Sequence, residues 1–184
     1  IGIITFPASF NYGSMLPAWA LLTYLERKGL EVQIVNYRSL VQRLTYHKPL
    51  DFHNVENGLS SCKRLLLYPS SIKPLYKKWH CFDDFLHKEL HLTKEYHTLE
   101  ELGKAHFDFD LLICGSDQIW NTNAPDSDEA YYGNWFKGRK ISYAASFGQY
   151  PEKVDMDFVK RQLINFSALS VREEKSRKAL VEAH

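Results

Sequence analysis

The chain opens on IGIITF, a continuous apolar and β-branched run, and reaches a second β-branched run, EVQIVNY (31–37), within its first 37 residues. Between them Leu16, Trp19, Ala20, Leu22 and Leu25 recur at helical spacing, and Gly29 stands where a C-terminal cap glycine belongs. A strand apolar on both faces belongs in a parallel sheet covered on both sides, and two parallel strands need a crossover helix between them. The opening therefore reads as a βαβ unit with a right-handed crossover. Pro17 is tolerated in a first turn but breaks a helix interior, so the spacing predicts a helix start at about Ser14 to Leu16.

The same alternation continues downstream. FDLLIC (109–114), KISYAASF (140–147) and ALSVR (168–172) read as strands three, four and five, with helical patterns at 155–166 and 173–183. A helical insert at about 40–105 separates strands two and three. Its first part, with Tyr46, His47, Pro49, His53, Asn57 and Gly58, has no clean period before a helix at 59–67. Between Ile72 and Leu90, positions Leu75, Trp79, Phe82, Phe85, Leu86 and Leu90 repeat at three and four, an amphipathic helix whose aromatic stripe reads as core. Thr98 followed by Glu101 is a capping box for a short helix. The expected fold is α/β: one domain over residues 1–184 with an open, mostly parallel Rossmann-like sheet and helices on both faces.

Composition narrows the function. The 23 Lys and Arg residues balance 22 Asp and Glu, so the summed charge attracts neither nucleic acid nor an anionic membrane. The longest apolar runs, about six residues, fall far below the roughly 20 that span a bilayer, and no signal peptide is expected before Ile1. The expected location is cytoplasmic, with room for association at the inner face of the membrane. Cys62, Cys81 and Cys114 are an odd set without a C-x-x-C pair, which argues against disulfides and zinc. No H-x-x-x-H or paired Cys/His spacing supports a metal, and no G-x-S-x-G supports a common α/β hydrolase. The chain starts inside a strand-like run without Met and stops at His184 in a continuing helical pattern, so a piece of a larger protein is expected.

In an open parallel sheet, ligands sit at the carboxyl ends of the strands. Four segments occupy such ends: FNYGS, GSDQIWN, SFGQ and REEKS. Asn11, Tyr12, Gly13 and Ser14 turn from the first strand into the first helix, where outward N–H groups suit an anion; a plain turn with Ser14 as N-cap explains them equally. No dinucleotide or P-loop fingerprint is present. Ser116, Asp117, Gln118 and Asn121 form a polar cluster after Gly115 that suits a polyol, with Asp117 as a candidate general base and Trp120 either stacking on a sugar or capping the core. The alternative is Ser116 and Asp117 satisfying loop donors. Ala144, Ala145 and Ser146 are small residues where something approaches closely, a ligand or the packing itself. Arg172 can hold phosphate or carboxylate, or pair with Glu173 or Glu174.

Together and in this order, ITFPASFNYGSMLPAWALLTYLERKGLEVQIVNYR, FDDFLHKELHLTKEYHTLEEL, FDLLICGSDQIWN, KGRKISYAASFGQ and ALSVREEKS resemble the polysaccharide pyruvyl transferase family over nearly the whole chain. The resemblance implies the N-terminal half of a two-domain fold like that of B-type glycosyltransferases, with a second half, the C-terminal domain, as its missing partner. It implies transfer of the pyruvyl group of phosphoenolpyruvate onto two hydroxyls of a saccharide acceptor, lipid-linked or free, as a ketal, in bacterial capsule, exopolysaccharide or cell-wall synthesis. No cofactor or metal is implied, phosphoenolpyruvate being the donor substrate. On this reading Arg172 binds the donor's anionic groups and Asp117 serves the acceptor hydroxyl, the two catalytic candidates. Asn11, Tyr12, Gly13, Ser14, Ser116, Gln118, Trp120, Asn121 and Ser146 line the substrate side. Pro17 departs from the family pattern, where a glutamine-like residue is more usual. Residues 1–184 alone are expected to lack transferase activity. A non-catalytic sugar-binding module and a nucleotide-sugar glycosyltransferase domain are the competing readings; a second half with a basic cleft separates the first, and uridine diphosphate binding the second.

Overall fold

A computed structural model of the chain describes residues 1–52, 55–148 and 154–182. Strands β1 (Gly2–Ile4), β2 (Gln33–Tyr37), β3 (Leu92–Tyr96), β4 (Leu111–Gly115) and β5 (Arg139–Tyr143) form one sheet in the order β3-β2-β1-β4-β5, every neighbouring pair parallel. Around them lie α1 (Tyr12–Glu26), α2 (Leu40–Thr45), α3 (Val55–Leu67), α4 (Pro69–Glu89), α5 (Leu99–Lys104), α6 (Met156–Leu163) and α7 (Glu174–Glu182). The expected open parallel α/β sheet is the observed one.

Successive strand residues point to opposite faces, and each face builds its own core. Ile3, Ile34 and Ile113 meet Met15, Ala18 and Leu22 of α1 and Phe82 and Leu86 of α4. Ile4, Val35, Leu112 and Cys114 face the other way, toward Leu102 of α5, Val159 and Leu163 of α6, and Leu180 of α7. This second core is strongly aromatic. Trp120 stacks on Tyr132 at 5.6 Å, and Tyr131 meets Phe6 edge-on at 4.7 Å, around a turn of 3-10 helix at Glu129–Tyr132.

Several elements depart from the expected bounds. Helix α1 begins at Tyr12, because Asn11 rather than Ser14 is its N-cap and accepts a 3.0 Å bond from the Ser14 N–H. Pro17 therefore lies in the second turn; the carbonyl it leaves without an N–H partner belongs to exposed Gly13, where solvent can serve it. The insert runs from α2 to α5 and also contributes β3. That edge strand, LTKEY, keeps its middle polar, so no apolar alternation marks it.

The strand expected at 168–172 is reduced to two isolated parallel bridges, Ile141↔Ala168 and Ala145↔Val171. Between them the Ser142 hydroxyl accepts from Ser170 N (2.8 Å) and donates to Ser170 O (3.0 Å), so a side chain replaces part of the backbone ladder. Strand β5 ends at Tyr143 because Ala144 turns left-handed, with φ of 49°. His53, Gln149 of the SFGQ segment and Ala183 of the last expected helix lie outside the described residues. Among the described residues, no helix is long and apolar enough to cross a membrane.

Candidate active site at the carboxyl edge of the sheet

Strand β1 leads through α1 to β2 on one side, whereas its other neighbour, β4, leads on to β5. The chain thus changes direction between β1 and β4, and a crevice opens at their carboxyl ends. Ile4 pairs with Cys114, which sets Thr5 level with Gly115 and next to Ser116 and Asp117. The Thr5 Oγ1, Ser116 Oγ and Asp117 Oδ2 atoms are buried and have no hydrogen-bond partner among the described residues. Each unanswered buried polar group costs about 1–3 kcal/mol, and folded proteins hold only a few. Here three stand together.

The backbone is strained at the same edge. Among the described residues, three that are not glycine adopt the left-handed region: Phe10 (φ 48°) after β1, Ser116 (φ 74°) after β4 and Ala144 (φ 49°) after β5. Each such residue costs on the order of 1 kcal/mol or more and persists only where its surroundings hold it. The loops after β4 and β5 supply that hold: Ser116 N donates to Tyr143 O (2.9 Å), Ser146 N to Asp117 O (3.0 Å) and Trp120 N to Ser146 O (3.2 Å). Gly115 makes the approach possible, since a Cβ there would lie 2.3 Å from Tyr143 O.

Burial pushes the Asp117 carboxyl above its usual range, against the opposing influence of the Ser14 hydroxyl, the Gln118 N–H and the Arg172 guanidinium. Gln118 N donates to Oδ1 at 2.7 Å, while Ser14 faces the carboxylate without reaching hydrogen-bonding geometry. Asp126 adds a repulsive charge that raises Asp117 further. The Tyr46 phenol is raised by burial and then by the charges of Asp126 and Asp117.

Arg172 closes the group. Its N–H donates to Ala145 O (3.0 Å) and its Nε to Glu173 Oε1 (2.8 Å), the pairing that sequence reasoning held open beside ligand binding. Its side chain stays 45% exposed, and its terminal nitrogens make no hydrogen bond among the described residues. Burial would raise Glu173, but Arg172, Ser146 and Ser176 hold it below the usual carboxylate range by hydrogen bonds and charge. An anion arriving at Arg172 thus meets a guanidinium already oriented by a carboxylate.

The other expected site residues divide. Ser14 and Ser116 flank Asp117, and Gln118 and Asn121, bonded to each other at 3.2 Å, lie on the rim. Asn11 is spent on capping α1 and on a 3.1 Å bond to Ser9 Oγ, while Gly13 offers only exposed backbone in the first turn. Tyr12 is exposed and leans on Phe82 of α4 at 5.0 Å. Trp120 is fully buried between Tyr132 and Phe147, so it caps the core and presents no face to a sugar. Ser146 is also fully buried: its hydroxyl donates to Glu173 and accepts from Gly148 N, which makes it a support for the arginine pair rather than a surface group. The small residues of SYAASFG admit the neighbouring loop.

Sequence reasoning missed Thr5, hidden in an apolar run, and Tyr46 and Asp126, brought in from distant segments. It also missed a cleft of about 400 Å³ beside the β1–α1 loop, lined among others by Ser9, Asn11, Tyr46, Arg64, Lys78 and Trp79. No Asp or Glu lines it, the Trp79 Nε1 is a buried donor without a partner among the described residues, and the Lys48 ammonium lies 5.2 Å over the Trp79 ring. The stripe of α4 is therefore core at Leu86, cleft wall at Trp79, and both at Phe82, which is buried and also lines the cleft. Among the described residues, no three His, Cys, Asp or Glu side chains gather as a metal site.

Neither the curated proteins nor the solved structures provide a match to the chain. A family model described as "Polysaccharide pyruvyl transferase" does match, over residues 11–184. That span takes in the α1 cap, the Ser116–Asp117 turn and the Arg172 pair, and on its strength the chain belongs to the polysaccharide pyruvyl transferase family.

Proposed function

We propose that this chain carries one wall of the active site, with residues for both donor and acceptor, of an enzyme that moves the pyruvyl group of phosphoenolpyruvate onto two hydroxyls of a sugar in a cell-surface polysaccharide. The observation that carries the reading is the set of three buried polar atoms without a partner among the described residues, Thr5 Oγ1, Ser116 Oγ and Asp117 Oδ2, with Arg172 in electrostatic reach of Asp117. The reaction needs a proton delivered to the methylene carbon of the donor, which becomes a methyl group and leaves an oxocarbenium-like centre. One sugar hydroxyl adds there and releases its proton, phosphate leaves, and the second hydroxyl closes the ketal with loss of its own proton. A carboxyl whose affinity for protons is raised by burial is better suited than an ordinary surface acid to both the taking and the returning of a proton.

Arg172 would neutralise the phosphate or carboxylate of the donor, and Ser116 and Gln118 would orient the acceptor. The acid-free cleft with Tyr46, Trp79 and Lys78 offers aromatic faces and cations for the rest of the saccharide. In this reading the remaining donor ligands come from a second half of the family fold. Isothermal calorimetry on the intact enzyme tests it: Arg172→Ala should abolish phosphoenolpyruvate binding, and unchanged affinity would remove Arg172 from the site. Binding of uridine diphosphate without phosphoenolpyruvate would overturn the reaction class in favour of nucleotide-sugar transfer.

A further inference from the structure

Helix α3 is built inside out. Its inward face is polar: Ser61, 1% exposed, accepts from Asp51 N (2.8 Å) and donates to Asp51 O (2.9 Å). On the same face Asn57 donates to Asp51 Oδ2 (2.8 Å), and Arg64 bonds the Pro49 carbonyl. Its outward face is apolar: Val55, Leu59 and Leu66 are 78%, 68% and 81% exposed at helical spacing, and the stripe runs on through Leu67 and Tyr68 at the elbow into α4. An ordinary surface helix turns these faces the other way round. A contiguous apolar patch in solvent marks a surface meant to be covered.

The charges around the patch say what covers it. From Val55 to Phe82 there are five Lys and Arg residues (Lys63, Arg64, Lys73, Lys77, Lys78) against a single acid, Glu56, although the chain as a whole carries a net charge of only +1. Lys63, Lys73 and Lys77 are exposed around the leucines. Cations ringing an outward apolar stripe match the headgroups and upper acyl region of an anionic bilayer. The placement agrees. Helix α4 spans 21 residues, about 31 Å, against roughly 17 Å for a five-residue strand. Its carboxyl end feeds β3 at the amino edge, and its middle touches Phe10 just past the end of β1. The elbow therefore extends past the carboxyl edge of the sheet.

We propose that the α3–α4 elbow is a docking surface for an anionic lipid bilayer, with Leu59, Leu66 and Leu67 entering the interface and Lys63, Lys73 and Lys77 holding the headgroups. This stands apart from the transfer reaction, since it needs neither Asp117 nor Arg172. Co-sedimentation of the full chain with vesicles tests it. The protein should pellet with vesicles of phosphatidylglycerol and phosphatidylcholine, fall off as salt rises, and stay in solution with phosphatidylcholine alone. Leu66→Glu, and separately Lys63→Glu with Lys73→Glu and Lys77→Glu, should each weaken binding by about tenfold or more, with an unchanged circular dichroism spectrum.

A second measurement does not depend on those variants. An environment-sensitive dye on exposed Cys62, in protein carrying Cys81→Ser, should shift to the blue on anionic vesicles and not on neutral ones. Absence of pelleting, equal binding to neutral vesicles, binding untouched by Leu66→Glu, or an unshifted dye would each overturn the proposal. So would light scattering that finds a dimer of the native chain dissociated by Leu66→Glu, which would make a second copy the occupant.

Discussion

Ser61 in the α3 arm and Thr5 beside the crevice are both hydroxyls removed from solvent, at 1% and 0% residue exposure. Ser61 is bonded twice to Asp51, as acceptor and donor, and its neighbour Asn57 bonds the same residue. Thr5, Ser116 and Asp117 keep polar atoms that no described residue answers. The contrast separates two uses of polar burial. In the arm the groups are consumed by the architecture and pin the 49–51 loop to the helix; at the crevice the same kind of group retains hydrogen-bonding capacity, in a backbone strained at Phe10, Ser116 and Ala144. Polar burial alone does not mark a candidate site; polar burial left unanswered at a strand end, in strained backbone, is what singles this one out.

The sharpest test of that distinction is Asp117→Asn. It should lower phosphate release by the intact enzyme about a hundredfold or more, while the stability of the fold holds or rises as a buried carboxylate becomes neutral. A variant that keeps its rate and loses stability would put Asp117 with Ser61, as a loop holder. Ser61→Ala comes next: it strands the Asp51 N–H and should cost about 1–3 kcal/mol in urea unfolding. Thr5→Val, which removes a hydroxyl with no partner among the described residues, should stay within about 1 kcal/mol and err toward stabilisation. Equal losses in the two variants would break the comparison.

The smallest effect is in the pH dependence of stability. Folded Asp117 holds its proton more tightly than the unfolded chain does, because burial raises it. Its contribution is complete below the ordinary Asp range and declines as pH rises through the folded value. Glu173, held low, behaves oppositely: its contribution is present above the ordinary Glu range and disappears as pH falls through the folded value. Urea unfolding of the native protein and Asp117→Asn from acid to neutral pH should show an advantage for the variant that grows with pH and then levels. A flat difference would mean that the Asp117 environment is as wet as that of an ordinary surface acid.

The sheet was legible wherever burial left an apolar run: IGII, QIVNY and LLICG each sit between two cores and read as strands at once. Strand β3 was not, because an edge strand faces solvent and LTKEY has no apolar alternation to show. The 168–172 strand was overread, since no pattern announces that the Ser142 hydroxyl will take over two ladder bonds from the backbone. At the site, Ser116, Asp117 and Arg172 were readable because each follows directly on a strand-like run. Thr5 was masked by the apolar residues around it, and Tyr46 and Asp126 come within electrostatic reach of Asp117 through packing that sequence spacing does not encode. The inverted face of α3 went unread because periodicity locates a stripe without saying which side of it meets solvent.

The bonds that tie the β4 loop to the β5 loop carry a consequence for motion. Asp117 O, Ser146 N, Ser146 O and Trp120 N form a short zipper past the end of the sheet, anchored by a tryptophan with no solvent exposure. Arg172 N joins the same body through Ala145 O. Amides joined in this way open together or not at all, so Trp120, Ser146 and Arg172 should exchange their protons for deuterium at one common rate. An anion gripping Arg172 from outside would then quieten the loop that carries Asp117 as well, and the Arg172 and Asp117 sides of the crevice would stiffen as one unit.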